Sequence, residues 1–226
     1  VIKTTAIANW FGSARGIAET VGVQLGNRAW VGIPFCGGCS EIPYIKCRTG
    51  IASDRHRHLC NLARVIREPA LKDALVRRID ATLFHPDELL RAQTHCIEME
   101  ANWENAEDAS LFASPSKPLP PDQNADEPDF DWAYHYFLCT WMTAGGRSGT
   151  AGEFNQSMSF RWNASGGDSC KRFRSAAESL DGWCAAMRPW CFVVMDAFEF
   201  IHTVKDQDDC AIYADPPWPD DGDGYK

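Results

Sequence analysis

Val31-Gly32-Ile33-Pro34-Phe35-Cys36-Gly37-Gly38-Cys39-Ser40, and the segment that follows it to Cys47-Arg48-Thr49-Gly50-Ile51-Ala52-Ser53-Asp54, decide the fold. Together they read as a strand over about 29–33, a glycine turn at Gly37-Gly38, a short helical or extended link, and a second strand over about 50–53. The second strand ends on an acid. Glycines after a first strand let the backbone come close to a ligand, and a carboxylate at the end of the next strand suits ribose hydroxyls. A Gly-Gly turn alone is a weak signal. Its weight comes from Asp54 at the right distance and from a second loop far downstream.

That loop is Asp215-Pro216-Pro217-Trp218. It follows Cys210-Ala211-Ile212-Tyr213-Ala214, a short apolar run read as a buried strand. Two prolines in a row cannot continue a central strand, because each lacks an N–H and holds φ near −65°. The chain therefore leaves the sheet as a stiff segment with a carboxylate at its start and an indole at its end. Such a loop suits a flat ring bearing an amino group. Asp215 and the carbonyl of Asp215 or Pro216 accept the two amine hydrogens, and Trp218 stacks on the ring.

At this point the chain resembles the Dam-type DNA adenine methyltransferases, which use S-adenosylmethionine. Asn9-Trp10-Phe11-Gly12-Ser13-Ala14-Arg15 is similar to the family's N-terminal Trp-x-Gly-Gly-Lys element. Pro34 to Ser40 resembles its Pro-Phe-x-Gly-x-Gly loop around the methionine moiety. Ser53-Asp54-Arg55-His56 sits where the family has Asp-Ile-Asn, and Asp215 to Trp218 matches its Asp-Pro-Pro-aromatic tetrad. The departures are Ala14 for the family's lysine, with Arg15 beside it, Cys39 for the last glycine of the loop, and Trp218 for the commoner tyrosine. A cysteine at position 39 is tolerated if its φ is negative, and otherwise narrows the methionine site.

The resemblance implies an α/β, Rossmann-like methyltransferase sheet with an inserted, largely helical target-recognition region. Residues 1–67 would form the cofactor-binding half, 68–188 the insertion, and 189–226 the return to the sheet with the catalytic loop. Trp10, Phe35, Gly37, Asp54, Asp196 and Asp215 would hold S-adenosylmethionine. Asp215, Pro216, Pro217 and Trp218 would carry the transfer to the 6-amino group of adenine in double-stranded DNA. No metal enters that reading. After the tetrad come only Pro219 to Lys226, so the last strands of the family's sheet are expected to be missing. Two alternatives stay open: an inactive remnant that still binds DNA or cofactor, and the same chemistry on RNA.

Composition bounds the rest. With 226 residues, 45% of them hydrophobic, the chain can bury a core. No apolar run reaches the roughly 18 residues of a membrane span. Ten cysteines at irregular spacing, without any secretory signature, point to reduced thiols in a cytoplasm. A net charge of −9 argues mildly against nucleic-acid binding, since phosphate contacts need Lys and Arg. Yet Arg147, Arg161, Lys171, Arg172 and Arg174 gather in a stretch with few acids. Of these, Arg147, Arg161 and Arg172, together with Asn163, are the candidate DNA contacts, on and beside two Gly/Ser-rich loops (145–150 and 163–168) that flank a strand-like segment at 158–162.

Between the two halves, helical spacing marks 55–67, 70–82, 86–105, 131–143 and 175–188, with a proline-rich linker at 114–129. Trp132, Tyr136 and Trp141 read as packing residues of a core helix. Cys191–Met195 reads as a buried strand. Cys36-x-x-Cys39 has the spacing of redox and zinc sites but no second pair to complete one. His56 and His58, two apart on a helix, point to different faces and read as solvated histidines.

Overall fold

The computed structural model describes residues 6–10, 12–111, 127–143, 154–160 and 168–216. Strands form where the apolar runs predict them. β1 is Asn27–Ile33 and β2 is Lys46–Asp54, so Asp54 is the last residue of its strand. Both begin earlier than hydrophobicity alone places them. Asn27 and Arg28 are exposed yet pair by backbone with Lys46 and Cys47. Ladder hydrogen bonds need no apolar side chain, so polar strand ends escape a hydrophobic count.

β3 (Trp190–Val194) pairs with β2, and β4 (Cys210–Ile212) pairs with β1, each in parallel; as edge strands neither is buried throughout as expected, Cys191 and Ile212 being exposed. The sheet is four-stranded and all parallel, in the order β3-β2-β1-β4. The chain thus steps from β1 to β2 to β3 in one direction and then places β4 on the far side of β1. A reversal of that kind opens a crevice at the carboxyl ends of β1 and β4, where ligands bind in open α/β sheets. The order is compatible with a Rossmann-like α/β fold.

α1 (Ala18–Leu25) precedes β1. The β1–β2 link folds into a helical turn in which Tyr44 and Ile45 N–H donate to the Glu41 carbonyl. α2 (Arg57–Arg67) follows β2, started by His56, whose Nδ1 accepts from Leu59 N at 3.2 Å. Leu59, Leu62, Ala63 and Ile66, the residues with helical spacing, are all fully buried.

The region between α2 and β3 supplies α3 (Pro69–Asp80), α4 (Pro86–Leu111), α5 (Phe130–Met142), α6 (Ser169–Glu178) and α7 (Leu180–Met187). The single helix expected over 175–188 is two helices meeting at Ser179, whose hydroxyl donates to the Ser175 carbonyl. α6 also starts earlier, because Asp168 caps the N–H groups of Cys170 and Lys171. The strand-like segment at 158–162 is reduced to one bridge, Met158 to Thr143, among the described residues. α8 (Ala197–Thr203) links β3 to β4.

Strand and helix regions share one continuous apolar cluster, from Ile33 and Ala52 through Leu62 to Phe137 and Trp183. Tyr136 and Trp141 lie inside it, as packing residues should, with Trp132 half-buried against it. His58 overturns its expectation. It is 2% exposed, accepts from Trp132 Nε1 through Nδ1, and meets Glu100 through Nε2 at 3.3 Å. The rings of Trp103, Tyr136 and Phe154 surround it. All ten cysteines are free. Among the described residues no helix is long and apolar enough to cross a membrane.

Gly50 pairs with Trp190, and a Cβ on Gly50 would stand 2.4 Å from the Trp190 ring. Because Trp190 is fully buried it cannot swing aside. Gly50→Ala should therefore cost about 1–3 kcal/mol of overpacking, read as a lower urea midpoint with an unchanged slope.

Candidate functional site

An open cleft lies at the carboxyl ends of β1 and β4, with about 600 Å³ of empty space counting the part open to solvent. Four blocks far apart in sequence line it: Trp10 and Gly12–Ala14, then Phe35–Gly38 with Ser40 and Glu41, then Asp54, then Asp215 and Pro216. Trp10, Phe35, Gly37, Asp54 and Asp215, each singled out from sequence, are thus brought together.

The glycine loop is fixed by backbone geometry. Cys36 N–H donates to the Ser53 carbonyl at 2.9 Å, holding the loop against the end of β2. Gly37, at φ +41°, turns its N–H onto Asp54 Oδ2 at 2.9 Å. Asp54 Oδ1 accepts from His56 N at 3.0 Å. Burial pushes the Asp54 pKa up, while the N–H groups of His56, Gly37 and Arg55 pull it back. Trp10 packs on the loop so closely that a Cβ on Gly37 would lie 2.9 Å from its Nε1, and one on Gly38 would lie 2.9 Å from its Cβ. Ile7 N–H donates to the Gly38 carbonyl, and the Ser13 and Ser40 hydroxyls share a 2.6 Å hydrogen bond.

Cys39 has φ +60°, so the condition for easy tolerance is not met. Its side chain is 1% exposed in the core and does not line the cleft. The thiol is accommodated in the core underneath the loop. Arg15, the neighbour of Ala14, turns its guanidinium to Asn9 Oδ1 and the Trp10 carbonyl and is not among the lining residues. Among the described residues no three His, Cys, Asp or Glu side chains are grouped as a metal ion needs.

The catalytic-loop candidate arrives on β4. Tyr213 N–H donates to the Gly32 carbonyl at 2.9 Å, which extends pairing past Ile212 and delivers Asp215 to the cleft. Burial raises the Asp215 pKa. Tyr213 is raised to about 12, by burial first and then by the charges of Asp215 and Glu41. Pro217 and Trp218 lie outside the described residues, as do Arg147, Arg161 and Asn163. Arg172 is on α6, where its Nη2 donates to the Thr143 carbonyl at 3.2 Å, away from the cleft. Asp196 caps α8 through Phe198 N and does not line the cleft.

Sequence reading passed over Glu41. It is 5% exposed and lines the cleft with Asp215. Burial first, opposed by a hydrogen bond from its own N–H, and then repulsion from Asp215 bring its pKa to about 7. The available signal was position: Glu41 directly follows the glycine loop and opens the turn that carries Ile42 and Ile45 into the core.

A scan against protein-family models finds no match to this chain, and a search of curated proteins finds no relative.

The raised Glu41 pKa means that the folded chain binds a proton more tightly than the unfolded chain between about pH 4.5 and 7. Stability from this group is therefore present at low pH and is lost as pH rises through that window. At pH 8 Glu41→Gln should be more stable than the parent by up to about 3 kcal/mol. Thermal melts should show the gain shrinking below pH 7 and gone near pH 4. Asp215, Tyr213 and Cys39 are the titratable groups that interact with Glu41, and its replacement by Gln relieves the upward push of its charge on Tyr213 and Cys39.

Proposed function

We propose that this chain is an S-adenosylmethionine-dependent DNA methyltransferase acting on the 6-amino group of adenine. The observation that carries the reading is the cleft itself. Blocks that resemble the N-terminal element, the glycine loop and the ribose acid of one enzyme family, with the first two residues of its catalytic tetrad, line one cleft at the β1/β4 crevice.

The residues present fit such a cofactor. Trp10 and Phe35 line the cleft with aromatic rings, and the bare backbone at Gly37-Gly38 lets Trp10 pack directly on the loop. Asp54 keeps lone pairs for hydroxyls after accepting its backbone N–H groups. When bound, S-adenosylmethionine supplies an activated methyl group on a sulfonium.

The chain's own residues would do the rest by position. Asp215 and a neighbouring carbonyl accept the two amine hydrogens, which leaves the nitrogen lone pair available instead of delocalised into the ring. Acceptors set in place beforehand need no reorganisation as positive charge grows on the nitrogen. The raised Asp215 pKa suits a group that receives proton density. The two prolines would keep the loop rigid, as their fixed φ requires, and Trp218 is the proposed stacking partner of the base. A base inside a duplex is out of reach, so the target would be flipped into the loop. Arg147, Arg161, Asn163 and Arg172 are the proposed contacts to the duplex, and a reducing cytoplasm suits the ten free thiols.

Incubation with S-adenosylmethionine and mixed-sequence duplex DNA, followed by mass spectrometry of the nucleosides, should give 6-methyladenine. Asp215→Asn should lower kcat by about 10²–10³, the usual loss for one preset polar partner, and Asp215→Ala should leave none detectable. Methylated cytosine would show the loop misread. Methyl transfer to RNA alone would move the substrate, and no transfer to either would leave a binding remnant.

A further inference from the structure

Three carboxylates, Glu41, Asp54 and Asp215, line the cleft, and among the described residues no Lys, Arg or His does. Their electrostatic situations differ. Asp54 is compensated by the N–H groups of Gly37, His56 and Arg55. Asp215 is half-buried at the mouth, where the proposed amine is held. Glu41 is 95% removed from solvent, and its carboxylate accepts only from its own N–H among the described residues. A buried carboxylate facing a cavity without a cation is costly unless a cation arrives with the ligand. Arg15, next to the lining residue Ala14, is directed to Asn9 and the Trp10 carbonyl instead.

We propose that Glu41 is the counter-charge for the sulfonium of the cofactor, and that it makes the cleft prefer the cationic methyl donor over its neutral thioether product. The inference rests on the methyltransferase reading and deepens it. The argument for sulfonium over the ammonium at the other end of the cofactor is one of place. In a direct transfer the methyl carbon lies about 3–3.5 Å from the amine nitrogen. That nitrogen would be held by Asp215, which would put the sulfonium beside Asp215. Glu41 is close enough to Asp215 for the two charges to repel one another. A positive centre placed next to both relieves that repulsion, and its conversion to a neutral thioether restores it. The same residue would then favour binding of donor and release of product.

Calorimetric titration of the full chain at pH 8 separates the possibilities. S-adenosylmethionine and S-adenosylhomocysteine differ by one methyl group and one positive charge. Glu41→Gln keeps shape and removes charge, and should weaken the donor on the order of tenfold while changing the thioether less than about twofold. Glu41→Asp should retain most of the preference. An analogue with a tertiary ammonium in place of the sulfonium should follow the donor.

Equal weakening of both ligands, or no weakening of either, would overturn the counter-charge while leaving the methyltransferase reading intact. Failure of the parent chain to bind either ligand would overturn both.

Discussion

The site depends on the carboxylate of Asp54. One oxygen takes the Gly37 N–H and the other the His56 N–H. Three pieces of the fold meet there: the loop after β1, the last residue of β2, and the start of α2. Hydrogen bonds to an ionised acceptor contribute about 1.5–3 kcal/mol each, more than neutral ones. Here they also set direction. The N–H of Gly37 can reach Asp54 only in the positive-φ turn that leaves room for Trp10 above it. With the loop fixed, Ile7 and Ser13 find their partners, and the N-terminal wall of the cleft closes on the sheet.

The helical region supports this wall from the other side. Trp141 on α5 donates from Nε1 to the Ile7 carbonyl at 3.0 Å, in the buried core. Asn61 on α2 exchanges two hydrogen bonds with the backbone of Asp129, the cap of α5. Such pairings fix how α5 sits on α2, because a buried amide left unpaired costs about 1–3 kcal/mol. The helices between β2 and β3 therefore share their core with the sheet. Movement of α5 would carry Ile7 with it, and through Ile7 the glycine loop.

Much of this was legible in the chain because the relevant signals are local. Proline and glycine punctuate, apolar runs in parallel sheets are nearly continuous, and a carboxylate closing a strand is visible at sight. Asp54, Gly37, Trp10 and Asp215 were all readable for that reason. What escaped was burial that depends on tertiary partners. His58 reads as a helix-surface residue until α4 and α5 cover it with Trp103 and Trp132. Glu41 goes unmarked in the sequence because its neighbour in the cleft, Asp215, comes from the far end of the chain. Neither neighbour is near in sequence. The division at Ser179 was equally hidden, because no glycine or proline marks it.

Two features of the same short loop cost stability: Cys39 in a left-handed conformation and Glu41 buried without a cation. A non-glycine residue there costs on the order of 1–2 kcal/mol. A fold optimised for stability alone would have glycine at the first position and glutamine or an apolar residue at the second. The loop holds both because its ends are over-determined, by Asp54 and Ser53 on one side and by the turn onto Ile42 and Ile45 on the other. The left-handed turn at Cys39 sends a thiol under the loop and lets the backbone run on to put Ser40 and Glu41 at the cleft. Strain concentrated where a scaffold can sustain it is the pattern of a binding site. On that argument the acid at position 41 and the backbone at position 39 form one device, the second placing the charge of the first.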